Sequence, residues 1–275
     1  MGTDLSASLE FATRTDTGRV RPHNEDAILV NPRLGLALLA DGMGGYNAGE
    51  VASAMAITLL GDELAKALDG TRTEARPLDG SFWAQPILER EIASANSAIY
   101  EEAQNQPQYA GMGTTLVAAL FHDDRVTVAH VGDSRLYRLR DGDFQQLTRD
   151  HTLLQEQLDS GVISTEEARH SNHRNLLTRA LGVDPVVEAE IHEHDVKRGD
   201  LYLICSDGLH DMVGELDMVR VLASEQASVG SCADRLIAMA NDNGGHDNVS
   251  VILVRAKRSF PAARSWWARL RAWLG

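Results

Sequence analysis

Apolar residues fall along this chain in short runs, and acidic residues close most of them. Residues 9–14 alternate as a strand does. Runs over 27–30 and 34–40 flank Asn31-Pro32-Arg33, a turn signal, and so predict a hairpin. Helical spacing then appears twice. Val51, Ala54, Met55, Thr58 and Leu59 share one face of a helix over 48–68, and Ile87, Ile92, Ala95 and Ile99 mark another over 82–103. Three successive strands are predicted over 114–121, 126–131 and 135–139, with His122-Asp123-Asp124 and Asp141-Gly142-Asp143 as turns. Strands over 186–192, 201–205 and 249–254, with helices over 215–223 and 231–241, complete the pattern. This order lacks the regular alternation of a doubly wound sheet. It predicts an α+β fold in which helices cover antiparallel sheets, with no internal repeat.

The segments that interrupt the apolar runs are more informative than the runs. They are Asn24-Glu25-Asp26, Asp41-Gly42-Met43-Gly44-Gly45, Gly132-Asp133-Ser134-Arg135, Ser206-Asp207-Gly208 and Asp247-Asn248. A buried strand that ends in a carboxylate is unfavourable unless something neutralises the charge. Each segment alone also fits an ordinary strand-end turn. Two Asp-Gly strand ends and an Asp-Asn strand start together fit a shared site better. Carboxylate and carbonyl oxygens suit magnesium or manganese, whereas zinc prefers nitrogen and sulfur. The residues therefore predict a metal-dependent hydrolase.

Bulk composition narrows the classes. The chain has 275 residues, 43% hydrophobic, which is one large domain or two small ones. A net charge of −14 argues against a nucleic-acid partner, whose footprint should be basic. Cys205 and Cys232 make no disulfide framework and read as reduced packing thiols. The sequence shows no secretory signal and no apolar stretch near the roughly 20 residues of a membrane span. A soluble, cytoplasmic protein is expected.

Further segments follow in a recognisable order: Arg21 ahead of Glu25-Asp26, Gly49-Glu50-Val51-Ala52-Ser53 after Asp41, then Gly111-Met112-Gly113-Thr114-Thr115. After Asp133 come Leu147-Thr148-Arg149-Asp150-His151 and Leu177-Thr178-Arg179-Ala180-Leu181-Gly182. With the acidic segments, this set resembles the metal-dependent protein phosphatases of the type 2C serine/threonine class, in their compact bacterial form. The resemblance spans about residues 9–255. It implies an α-β-β-α sandwich of two antiparallel sheets flanked by helices, with a phosphatase domain over 1–255 and a flap over about 150–175. It also implies two ions, Mn2+ or Mg2+. Asp41 would bridge them, the Gly42 carbonyl would complete one site, and Asp207 and Asp247 would hold the other. Glu25 and Asp26 would act beside the pair, partly through water, and Arg21 would grip the substrate phosphate. Asp133, with Asp207 and Asp211, matches a third, weaker metal site. The implied reaction is hydrolysis of phosphoserine or phosphothreonine by a metal-activated water, with no nucleophilic side chain. The implied partners are phosphorylated proteins and a cognate bacterial-type serine/threonine kinase.

Two alternatives stand beside this reading: a non-catalytic phosphoprotein-binding module of the same fold, and a small-molecule phosphoesterase. One departure matters. Many relatives carry His where this chain has Met43, and Met43 cannot protonate a leaving alkoxide. His151 and His173 are the candidate substitutes if the flap folds over the site; otherwise they are exposed loop histidines. The flap itself is expected to select substrates. Residues 256–275 form a separate tail. Everything after Asp247 carries +6, the rest −20. Trp266, Trp267, Leu270, Trp273 and Leu274 would share a helix face, either docked on the acidic domain or touching a membrane surface or a partner.

Overall fold

In a computed structural model of the chain we describe residues 4–45, 48–71, 83–169, 176–224 and 228–261. Strands β1 (Leu9–Asp16), β2 (Asp26–Asn31) and β3 (Leu36–Met43) precede two long helices, α1 (Ala48–Thr71) and α2 (Ala84–Asn105). Then come β4 (Gly113–Thr114), β5 (Leu116–His122), β6 (Arg125–Val131), β7 (Arg135–Arg140) and β8 (Asp143–Gln146). Short helices α3 (Leu153–Asp159) and α4 (Thr165–Arg169) lead to β9 (Glu190–Asp195) and β10 (Leu201–Cys205). Helices α5 (Asp207–His210), α6 (Glu215–Leu222) and α7 (Val229–Asp242) precede the last strand, β11 (Val249–Ala256).

The strands form two antiparallel sheets, ordered β1-β11-β10-β7-β8 and β2-β3-β5-β6-β9, with β4 beside β3. Side-chain alternation explains the stacking. Along β3, Leu36, Leu38 and Ala40 face α1 and α2, while Ala37 and Leu39 face the other sheet. Ile204, Ile252 and Val254 answer them from the first sheet, whose outer face packs Leu203, Val251 and Leu253 against α6 and α7. Central strands are thus apolar on both faces, which is why they read as runs. The layers are helix, sheet, sheet, helix, as the sequence implied.

Two expectations shift, the limits of one strand and the start of the tail. The strand expected over 186–192 runs from Glu190 to Asp195, in register with β6 through Arg125↔Asp195 and His130↔Glu190. Its expected start is Val186, which is 82% exposed, and among the described residues β6 is its only strand partner, so apolar pattern did not mark its limits. The flap region, a polar stretch with weak helical periodicity in the sequence, carries two short helices. His173 and residues 262–275 of the tail lie outside the described residues. Ahead of them, Phe260 is buried in the same cluster as Leu5 and Leu9, and the Ser259 hydroxyl donates to Asp124 at 2.6 Å. The packed body therefore reaches Phe260. Among the described residues, no helix is long and apolar enough to cross a membrane. Phe260→Ala should lower unfolding free energy by about 3–5 kcal/mol, read from urea midpoints.

Candidate active site

Both sheets deliver acidic residues to the same end of the sandwich. The second sheet supplies Asp26 at the start of β2, Asp41 near the end of β3 and Asp133 just past β6; the first supplies Asp207 just past β10 and Asp247 just before β11. A cavity of about 440 Å3 opens there, lined by Arg21, Glu25, Asp41, Gly42, Asp133, Asp207 and Asp247 among others. Seven of the nine predicted site residues thus meet on one surface. Asp26 lies behind it, directly opposite Asp41 in the β2–β3 register. Asp211 is exposed, absent from the cavity lining, and reaches His210 Nδ1 at 3.5 Å. Its charge still reaches Asp207, whose pKa it helps to raise.

The electrostatics explain what such a site demands. Desolvation raises the Asp26 pKa to about 6, and Asp247 adds to the rise. Asp41 is pushed well above the ordinary carboxylate range by burial first, then by the charges of Asp26 and Asp207. Burial, with Asp133 and Asp247, does the same to Asp207, and burial lifts Asp133 to about 6. Opposed residues on antiparallel strands lie about 5 Å apart, and two charges at that distance repel by about 3 kcal/mol at an effective dielectric near 20. A hydrogen bond to a charged group returns about 1.5–3 kcal/mol. Asp26 Oδ2 has one from the Ser206 hydroxyl at 2.8 Å, but its Oδ1 is shut from solvent without a partner. An orphaned buried oxygen among mutually repelling carboxylates fits hard divalent cations and their waters.

Local packing fixes the acceptors. A Cβ on Gly42 would sit 2.1 Å from the Gly49 carbonyl oxygen, so this glycine is required by contact with the start of α1. Helix–strand packing alone thus demands a glycine at this position. Gly208 is similar: its Cβ would lie 2.0 Å from Asn248 O.

Several residues that hold the site had no role assigned from sequence. Asn248 accepts from Glu25 N at 2.8 Å and donates to Thr17 O and His23 O, at 2.9 and 2.8 Å, which ties down the loop carrying Arg21 and Glu25. The Thr115 hydroxyl accepts from Asp41 N at 3.0 Å, and the Thr114 hydroxyl donates to Asp41 O at 2.9 Å. His210 Nε2 meets Asp133 O at 3.2 Å. Leu176–Ala180, Val183 and Asp184 line the cavity, so the wall continues past the expected flap end at 175. The segment Leu177–Gly182 carried the family resemblance and was the available signal.

The remaining candidate residues take different places. Arg21 stands in the cavity and donates to Asp247 at 2.6 Å. Met43 lines the wall without a proton to give. His151 departs from both expectations: it is neither at the cavity nor an exposed loop residue, being 5% exposed and stacked on His130 at 4.8 Å. It is not placed to protonate a leaving group. Cys205 is buried and its thiol is pushed up to about 12 by desolvation, which makes it inert as a nucleophile.

Stacked antiparallel sheets presenting carboxylates and two arginines, Arg21 and Arg179, with no competent thiol, define a phosphohydrolase of the metal-dependent kind. The comparisons agree. The sequence profile described as "Protein phosphatase 2C" matches residues 19–247, and the chain belongs to that family. It is 42% identical to the serine/threonine phosphatase stp of Listeria welshimeri over 244 residues, 88% of this chain and 93% of that protein. It is 40% identical to the serine/threonine protein phosphatase PstP of Mycobacterium tuberculosis over 245 residues, 89% of this chain and 44% of that one. A crystal structure of PstP superposes with a TM-score of 0.80 at 39% identity, covering 91% of this chain and all of that one. A second, of the PstP catalytic domain, holds 2 manganese ions, with a TM-score of 0.76 at 38% identity over 90% of this chain and 98% of that one. The chain is a protein serine/threonine phosphatase.

Two outcomes follow from the geometry. Without metal, the raised Asp26 pKa means the folded state binds more protons than the unfolded one between about pH 4, the ordinary Asp value, and about 6. Asp26 thus lowers stability increasingly as pH rises through that window. In EDTA, the stability gained by Asp26→Asn over wild type should grow from pH 4 to pH 7 in urea melts. Asn248→Ala should lose at least tenfold in kcat/KM for a phosphopeptide and about 1–3 kcal/mol of stability, because buried backbone partners are left unpaired.

Proposed function

We propose that this chain releases phosphate from phosphoserine and phosphothreonine in proteins at a centre of two divalent ions, manganese or magnesium. Asp41 would bridge them, with the Gly42 carbonyl, Asp207 and Asp247 as the remaining protein ligands and Glu25 and Asp26 acting through water. Asp133 would be the main protein ligand of a third, weaker site. The observation that carries this reading is the Asp26–Asp41 pairing at the mouth of both sheets, beside Asp207. A relative with two manganese ions on the same fold supports the choice of metal.

When bound, the ions supply a water acidified toward neutral pH and positive charge for the phosphoryl oxygens. The protein's own groups do the rest. Arg21, now held by Asp247, is free to turn to the phosphate, whose two oxygens its planar guanidinium matches. Met43 gives the wall an apolar side chain, and with no histidine at the cavity among the described residues, solvent protonates the leaving oxygen.

The flap over about 150–175, extended by the Leu176–Arg179 wall, would select among phosphoproteins. The reading extends to a cytoplasmic setting and to the targets of a cognate serine/threonine kinase. The part of the chain beyond Phe260 would form a separate contact with a membrane surface or protein.

Phosphate release from a phosphothreonine peptide tests the core of this reading. Release should require Mn2+, vanish in EDTA, and fall at least a thousandfold in Asp207→Ala. Equal release with and without EDTA would refute a metal centre. Exchange of flap residues 154–175 with a relative's, leaving Asp150 and His151 in place, should change peptide preference while leaving p-nitrophenyl phosphate turnover within threefold; unchanged preference would refute selection by the flap.

A further inference from the structure

Asp150 and His151 are adjacent in sequence, both withdrawn from solvent, and neither lines the cavity. Their bonds converge on one turn. His151 N donates to Gly132 O at 2.9 Å, and Gly132 N donates back to His151 Nδ1 at 3.2 Å. Both polar backbone groups of Gly132 are thus held by one residue. Three positions on, the Arg135 guanidinium grips Asp150 through Nε at 2.9 and 3.1 Å and through a terminal nitrogen at 2.6 Å. Between Gly132 and Arg135 lie only Asp133 and Ser134. Gly132 has φ +99°, and a Cβ there would meet Thr115 Cγ2 at 2.7 Å, so the turn has little freedom of its own.

The same pair also reaches the cavity wall. Thr178 N donates to His151 O, and Leu153 N to Leu176 O, each at 2.9 Å. Leu176 and Thr178 line the cavity that Asp133 faces.

The His151 ring is set for this work. Nδ1 accepts from Gly132, so the neutral ring carries its proton on Nε2, facing Glu190 Oε2 at 3.5 Å. His130 stacks beneath it and is itself fixed through Nε2 to the backbone of Arg149. His130, His151 and Glu190 could be taken for a metal site, since their ligand atoms lie within 4.8 Å of one another. The acceptor role of His151 Nδ1 and the proton on its Nε2 argue instead for a hydrogen-bonded support.

We propose that Asp150 and His151 are positioning residues for Asp133: they clamp both ends of its turn, aim its carboxylate at a cation, and join that cation site to the Leu176–Thr178 wall. The proposal rests on the reading of Asp133 as a metal ligand.

Mn2+ binding to the full chain, counted by electron paramagnetic resonance, tests it alongside turnover. In His151→Leu the two tighter ions should bind within twofold of wild type. The weakest should bind at least tenfold more weakly, and the Mn2+ concentration for half-maximal phosphopeptide turnover should rise with it. His151→Asn, whose Oδ1 stands where Nδ1 stood, should recover the weakest ion to within threefold. If His151→Leu does not fold, Asp150→Asn, which removes the charge facing Arg135, takes its place with the same expectation. Wild-type binding of all ions, equal weakening of every ion, or no recovery in His151→Asn would each overturn the clamp. If Asp133→Ala binds as many ions as wild type, the ligand reading of Asp133 falls and the clamp with it, whereas EDTA-sensitive phosphate release in the same sample would keep the phosphatase reading intact.

Discussion

Repulsion among carboxylates at one end of the sandwich is the constraint to which the rest of this structure answers. Asp26 and Asp41 oppose each other across a strand pair, and Asp133, Asp207 and Asp247 add charge from neighbouring strand ends. Nothing among the described side chains neutralises them all. Arg21 reaches Asp247 alone, and Ser206 offers Asp26 one bond. The folded chain carries an electrostatic deficit of several kcal/mol that a divalent cation would relieve, so metal binding and stability are two sides of one interaction.

Holding like charges together needs a stiff frame. The strands that end in these residues are buried on both faces, and their dense apolar contacts stabilise more than the site destabilises. A second layer of neutral hydrogen bonds then aims each acid. Thr114 and Thr115 hold Asp41, Asn248 holds the loop bearing Arg21 and Glu25, and Ser206 holds Asp26. Most of these supports are small polar side chains bonded to backbone, which adds no further charge to a site already crowded with it.

This division explains what could be read from the sequence. Asp41 and Asp207 were legible because each closes an apolar run, and Asp247 because it precedes one; the order of the runs showed antiparallel sheets under helices, and the family resemblance implied that two sheets stack. Two of the four edge strands, β8 and β9, were not legible. Asp143–Gln146 contains one apolar residue and, among the described residues, pairs only with β7, while Glu190–Asp195 is half-exposed and takes its limits from β6. His151 was misjudged because a polar stretch hid its burial. Its role depends on contacts with Gly132 and Thr178, 19 and 27 residues away, which no local pattern records. The supports Thr115 and Asn248 were visible as motif residues, but their partners lie across the sheets and had to be seen folded.

The account's central claim is that metal replaces protons at the carboxylates. Calorimetric titration with Mn2+ at pH 6, in two buffers of different ionisation enthalpy, measures that exchange directly. With Asp26 and Asp133 near pKa 6 and Asp41 and Asp207 also raised, binding should release about one proton or more per chain. Release should decline as pH rises toward 8. Binding with the same heat in both buffers at pH 6 would mean that the carboxylates are already ionised without metal, and would contradict the account.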